Sequence, residues 1–245
     1  LGDNHRPFLD YLLYNIKKAG INDVLIVIGE KDESIKNYYG ASEKNVTFDG
    51  LNIVYAVQHI PADRVKPAGT ADALYQGLAS VPGWKGEQFL VCNSDNLYSV
   101  EAMKILLASP YSNALIDYDR EGFQFESDRV SRFAITEKDS RGFLKDIIEK
   151  PSDNLVAEVM AKDGYVGVSM NLFKFSYDMI FPYLGETPFH PVRNEKELPT
   201  SVKLMIDNNP DAVFAYKMKE HVPDLTSKKD IIPVQEYLRK EFSNI

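Results

Sequence analysis

Cysteine is all but missing from this chain. Cys92 is the only one in 245 residues, so no disulfide can form within it, which fits a reducing compartment. Cations are short as well: 28 Lys and Arg face 36 Asp and Glu, a formal charge of -8. That balance argues against the clustered basic surface that nucleic-acid binding needs. It leaves room for a small phosphorylated substrate, which needs only a few local cations or a metal. No apolar run approaches the roughly 20 residues of a membrane span, and no signal peptide opens the chain. The expectation is a soluble, cytoplasmic protein with small-molecule partners, no nucleic acid and no membrane. Repeats, linkers and low-complexity segments are also absent. A chain of 245 residues buries a substantial core, and this one reads as a single domain with an added lobe.

What is present is the grammar of an α/β protein. Pro7 to Ala19 reads as a helix: Pro7 suits its first turn, Leu9, Leu12, Leu13 and Ile16 share one face, and Gly20 closes it. Val24 to Ile28 is an uninterrupted apolar run, Asn52 to Gln58 repeats it, and a helix is expected after Thr70. Runs apolar on both faces belong to parallel strands covered by helices. Alternation with helices predicts a Rossmann-like, doubly wound sheet, mixed but mostly parallel. Such sheets take ligands at the carboxyl ends of their strands, where Gln58 and Asp95 fall.

Phe89 to Cys92 is a third run of this kind, and it stops on "NSDN", centred on Asp95. A carboxylate at the tip of a buried strand is either held by the N–H groups of a turn or committed to a ligand or metal. The second half changes character. Ser112 to Tyr118, Arg132 to Thr136, Phe143 to Ile148 and Tyr165 to Phe175 read as strands of an antiparallel or mixed extension. Helices are expected at Leu198 to Ile206 and at Lys228 to Lys240, where Ser227 and Asp230 have capping-box spacing.

Four polar motifs occur in order: "QHIPADRVKPAGTADALYQG", "VCNSDNLYS", "DIIEKP" and "HVPDLTSKKDI". Together they resemble the sugar-1-phosphate nucleotidyltransferase (NDP-sugar pyrophosphorylase) family, with Glu149-Lys150-Pro151 the most specific of them. The resemblance runs from Pro7 to about Leu238. It implies a GT-A-like nucleotidyltransferase fold. Residues 1–130 would form the nucleotide-binding half and residues 131–245 the sugar-phosphate half.

The resemblance also assigns roles. Gln58, Gly69 and Thr70 would meet the nucleotide: an amide can read a base edge, and Gly69 lets backbone approach a flat base. Gln58 also reads as a strand-end turn cap and Thr70 as an ordinary N-cap. Glu149 would accept sugar hydroxyls, and Lys150 would hold the phosphate as a point charge; a surface pair before a proline turn is the plain alternative. Ser169 and Asn171 lie where family members contact the sugar. Asp95 and Asp224 would bind Mg²⁺, because a hard divalent cation offsets the repulsion between two phosphates.

The implied reaction joins an NTP to a sugar 1-phosphate, releasing pyrophosphate and an NDP-sugar, with a homo-oligomer allowed. Rival readings are a non-catalytic nucleotide-sugar-binding regulatory homologue, a GT-A-type glycosyltransferase and a phosphocholine cytidylyltransferase-like enzyme. Several positions depart from the family pattern: Ser94, Ala134 and Asn171 stand at glycines, and Val222 at a tryptophan. The family's Gly-rich phosphate loop and the strand before it are not found after Leu1. Leu1 to Arg6 is too short and too polar to supply them. The expectation is an extension of about twenty to thirty residues before Leu1, its strand lying between Val24–Ile28 and Phe89–Cys92.

Overall fold

The computed structural model describes Leu1, residues 6–40 and residues 46–243; Gly2 to His5 of the short polar opening lie outside the described residues. Helix α1 (Phe8–Lys18) follows Pro7 and ends before Gly20, which takes φ +97°. Its apolar stripe, Leu12, Leu13 and Ile16, is buried. Strand β1 (Asp23–Gly29) lies parallel to β3 (Leu51–Gln58), with Ile26 opposite Tyr55; the short helix α2 (Ser34–Tyr39) lies between them in sequence. β2 (Val46–Phe48) adds an antiparallel edge to β3. α3 (Thr70–Ser80) packs closely on this three-stranded sheet. A Cβ on Gly77 would come within 2.9 Å of Val27 Cγ2, so only glycine lets the helix sit this low.

The larger sheet contains β4 (Gln88–Val91), β5 (Ala114–Asp119), β6 (Ile135–Lys138), β7 (Leu144–Ile148), β8 (Gly167–Ser176) and β9 (Phe214–Met218). Its order is β7-β6-β8-β5-β9, with β4 also on β8. β8 is antiparallel to β4, β5 and β6, while β5 and β9 are parallel. So β4, β5, β6 and β9 share one direction, which makes the sheet mixed with most strands aligned. Phe173 of β8 pairs with Leu115 on one side and Val91 on the other. β4 and β6 therefore sit end to end along the same edge of β8, with Met170 to Leu172 between them.

Helices cover both faces. α1, α4 (Val100–Ala108) and α9 (Ile231–Glu241) close one core with β5 and β8; α3, α7 (Tyr177–Glu186) and α8 (Leu198–Asn208) close the other. α6 (Asp153–Asp163) covers a small third core beside β6. The capping box of Ser227 and Asp230 forms as its spacing predicts.

Two expectations change. Arg132 to Ala134 are not strand: Arg132 and Phe133 donate to the carbonyls of Arg129 and Val130, continuing the turn of α5 (Ser127–Val130). β6 starts only at Ile135. Moreover, β1 and β4, read as buried on both faces, are largely half-buried. Among the described residues each pairs on one edge only, β1 with β3 and β4 with β8. Both line a mainly apolar cleft of about 800 Å³, together with Leu12 and Leu74.

Candidate active site

The gap on the edge of β8 is a pocket of about 210 Å³. The end of β4 contributes Asn93, Asp95 and Asn96; the turn before β6 contributes Arg132, Phe133 and Ala134; β8 contributes Ser169, Met170 and Asn171. Glu149, Asp224 and Thr226 complete the polar wall. The pocket thus gathers Asp95, Glu149 and Asp224 from three of the four motifs, and Ser169 and Asn171 from β8, which lies between the last two.

Asp95 and Asp224 belong to loops that hydrogen-bond to each other. Leu97 N donates to Pro223 O at 2.9 Å, Leu225 N donates to Asp95 O at 2.8 Å, and Asn96 and Asp224 form an isolated antiparallel bridge. Thr226 Oγ1 lies 2.5 Å from Asp224 Oδ1 and 3.3 Å from Asp95 Oδ2, so one hydroxyl spans the two carboxylates. Burial raises the pKa of Asp95, and the charge of Asp224 raises it further; backbone and Thr226 hydrogen bonds oppose both. Arg129 reaches Asp224 Oδ2 at 3.0 Å while also binding Asp230 and stacking on Phe125.

Oxygen donors of like charge beside an open pocket fit a hard divalent cation. Among the described residues no group of three or more His, Cys, Asp or Glu could hold a metal. The two aspartates therefore form a partial ligand set, to be completed by substrate oxygens and water.

Tyr98 fixes this arrangement. Its ring is fully buried and its hydroxyl donates to Met170 O at 2.6 Å and accepts from Asn93 N at 3.3 Å. It ties the aspartate loop to β8 where the register with β5 shifts and Asn171 takes φ +58°. A bulge of this kind re-aims side chains beside a site. Asn96 Nδ2, buried in the pocket wall, has no hydrogen-bond partner among the described residues. An orphaned buried donor costs about 1–3 kcal/mol, and such groups are rare enough in folded proteins to call for an explanation.

The other candidates lie elsewhere. Lys150 is exposed, with φ +48°, and is not among the residues lining the pocket, unlike its neighbour Glu149. Glu149 lies 3.8 Å from Arg193. Gln58 is buried, and its amide donates to Gly69 O at 3.0 Å and Asp72 Oδ2 at 2.8 Å. Gly69 has φ +117° and faces Lys196, whose carbonyl oxygen would lie 2.4 Å from an added Cβ. Thr70 Oγ1 accepts from Leu198 N at 3.0 Å, and Thr70 lines the large cleft. These three join β3 and α3 to the start of α8, outside the carboxylate pocket.

Residues absent from the motif reading are Asn96, Tyr98, Arg132 and Thr226. Asn96 and Tyr98 sit inside "VCNSDNLYS" and Thr226 inside "HVPDLTSKKDI", so an orphaned amide, a buried hydroxyl and a bridging hydroxyl were within reach. Arg132 gave no signal beyond its charge.

Fold and site together define an α/β protein with paired carboxylates at the carboxyl ends of its strands. Residues 1–188 match the family described as Nucleotidyl transferase, and the chain belongs to that family. It is 30% identical over 104 residues to a D-glycero-alpha-D-manno-heptose 1-phosphate guanylyltransferase of Campylobacter jejuni, covering 42% of this chain and 40% of that one. It is 23% identical over 192 residues to a glucose-1-phosphate adenylyltransferase of Bradyrhizobium diazoefficiens, covering 76% of this chain and 44% of that one. The chain thus spans less than half the length of these relatives. The fold is similar to that of UDP-glucose pyrophosphorylase solved with UDP-glucose, at TM-score 0.68 and 17% identity, covering 98% of this chain and 89% of that one.

Proposed function

We propose that the protein transfers a nucleotidyl group from an NTP to a sugar 1-phosphate in a Mg²⁺-dependent reaction. A phosphate oxygen of the sugar 1-phosphate attacks the α-phosphorus in line. The bond to the β-phosphate's bridging oxygen breaks, pyrophosphate leaves and an NDP-sugar forms. The attacking oxygen is already anionic, so no general base is needed, and catalysis rests on positioning and charge neutralisation. Asp95 and Asp224 would hold the metal, whose contribution is to offset anionic repulsion. Glu149, Ser169 and Asn171 would contact the sugar. Residues 1–130 and 131–245 act as nucleotide and sugar-phosphate halves of one catalytic domain, each supplying one aspartate.

The observation that carries this reading is the hydrogen-bonded pairing of the Asp95 and Asp224 loops around a pocket that also contains Glu149, Ser169 and Asn171. Family membership and the sugar-1-phosphate relatives support it. A pyrophosphate-release screen of the protein, five NTPs against several sugar 1-phosphates with Mg²⁺, tests it. Turnover with at least one pair, abolished by EDTA, is expected. NDP-sugar binding without pyrophosphate release for any pair would instead support a non-catalytic nucleotide-sugar-binding protein.

A further inference from the structure

We infer that Arg129 is a resident counter-cation of the paired aspartates and competes with a divalent metal ion for Asp224; this rests on the function proposed above, in which Asp95 and Asp224 hold the metal. Asp224 Oδ1 accepts from Thr226 N at 2.9 Å and from Thr226 Oγ1 at 2.5 Å, which fills both of its lone-pair directions. Asp224 Oδ2 is the oxygen with room for another ligand. Arg129 lies 3.0 Å from it, and no other donor reaches it among the described residues. Asp95 has no ion pair among the described residues, and its Oδ2 meets only the Thr226 hydroxyl at 3.3 Å. A metal ion drawn to the two carboxylates must therefore share Asp224 Oδ2 with a guanidinium or displace it. Two cations on one oxygen repel each other.

Arg129 is anchored from its other side. Its Nη1 pairs with Asp230 Oδ1, and Asp230 Oδ2 accepts from Ser227 N at 2.7 Å in the capping box before α9. Its guanidinium also stacks over Phe125 at 4.4 Å. Leaving Asp224 would therefore not carry the charge away from the site. The Arg129 side chain is 26% exposed and that of Asp224 11%, so salt screens the pair far less than it would a surface pair. A hard cation takes about six or more oxygen ligands, and among the described residues no group of three or more His, Cys, Asp or Glu could hold one. With a held positive charge against one of only two carboxylates, the protein alone binds metal weakly. The aspartates become a metal site when substrate oxygens add their negative charge. Arg129 is a positioning residue in this scheme: it orders Asp224 and acts through it, not on the substrate.

Mn²⁺ binding to the protein without nucleotide, read from loss of the free-ion EPR signal, tests this without turnover. Arg129→Gln removes the charge and keeps an amide that can donate to Asp230. It should bind Mn²⁺ about tenfold or more tightly than wild type, and Arg129→Met should shift the same way. Asp230→Asn loosens the same contact between α5 and α9 but leaves the cation on Asp224, so its Mn²⁺ affinity should stay close to wild type. Adding Asp224→Asn to Arg129→Gln should abolish the gain. Damage to the fold does not tighten a site, so the direction of the change separates competition from a structural role. Mn²⁺ bound no more tightly by the two Arg129 variants than by wild type, including no binding by any of them, overturns the inference. Equal tightening in Asp230→Asn, or a gain that survives the loss of Asp224, overturns it as well. Tighter Mn²⁺ binding by the Arg129 variants in a protein that releases no pyrophosphate would count against the reaction and still support the role of Arg129.

Discussion

Asp95 and Tyr98 lie three residues apart and support the site in opposite ways. Asp95 is held at some cost: burial and the nearby Asp224 raise its pKa, so its ionised form is disfavoured in the folded state. A raised carboxylate pKa means that ionised Asp95 weakens the fold above its unfolded pKa. Asp95→Asn removes that charge with little change of shape. It should leave the unfolding midpoint at pH 7 equal or higher, and lower turnover by about two orders of magnitude or more, as expected for a metal ligand. A lower midpoint with activity per folded molecule retained would assign Asp95 to turn capping instead. Tyr98 is the stabilising partner. Tyr98→Phe leaves Met170 O without its hydroxyl donor and should cost about 1–2 kcal/mol in denaturant unfolding. It should also lower kcat, because the Asp95 loop loses its tie to β8. A stability loss with kcat unchanged would separate the tie from the chemistry.

At the scale of elements, the sequence was legible where a period and its punctuation agreed. α1, β1, β3, α3, β7 and α8 fall where apolar runs and caps place them. α4, α6, α7 and β9 are not among the expected elements, although α4 and α6 carry local signals, the N-caps Ser99 and Ser152 and, after α6, Gly164 in the left-handed region. Arg132 to Ala134 misled because "RFAIT" alternates like a strand, whereas the backbone bonds of α5 capture its first residues. The site was legible as motifs, since Asp95, Glu149 and Asp224 each follow a recognisable segment. Arg132, Asn96 and Thr226 acquire meaning only when distant loops meet.

The same α5 region carries a pH dependence. His221 accepts a hydrogen bond from Gln124 N at 3.3 Å through Nδ1 and packs edge-on to Phe125. Burial, reinforced by the charge of Arg129, pushes its pKa down to about 4. A histidine with a depressed folded pKa contributes stability that is complete above its unfolded value of about 6.5 and is lost as pH falls towards 4. Urea midpoints should therefore drop more between pH 7.5 and pH 5 in wild type than in His221→Gln, whose side-chain oxygen can still accept from Gln124. Parallel profiles would show that His221 is not the group responsible.

At the scale of the whole molecule, the two sheets meet across the cleft lined by β1 and β4. Val24 to Ile28 and Phe89 to Val91 are as apolar as any central strand, yet they are mostly half-buried, whereas β5 is buried along its full length. The contrast is one of pairing. β5 has neighbours on both edges, but among the described residues β1 and β4 have one neighbour each, which leaves one row of N–H and C=O groups directed away from it. Unpaired, apolar strand edges are the sites most prone to add another strand, and amides without a cross-strand partner exchange through small local openings. For the chain of residues 1–245, hydrogen exchange should therefore be fast at alternate amides of β1 and β4 and slow along β5 and β8. Protection of β1 and β4 equal to that of β5 would mean that a further strand pairs across the cleft, from a longer polypeptide or from a second copy. Concentration dependence of that protection separates the two, because only pairing with a second copy weakens on dilution.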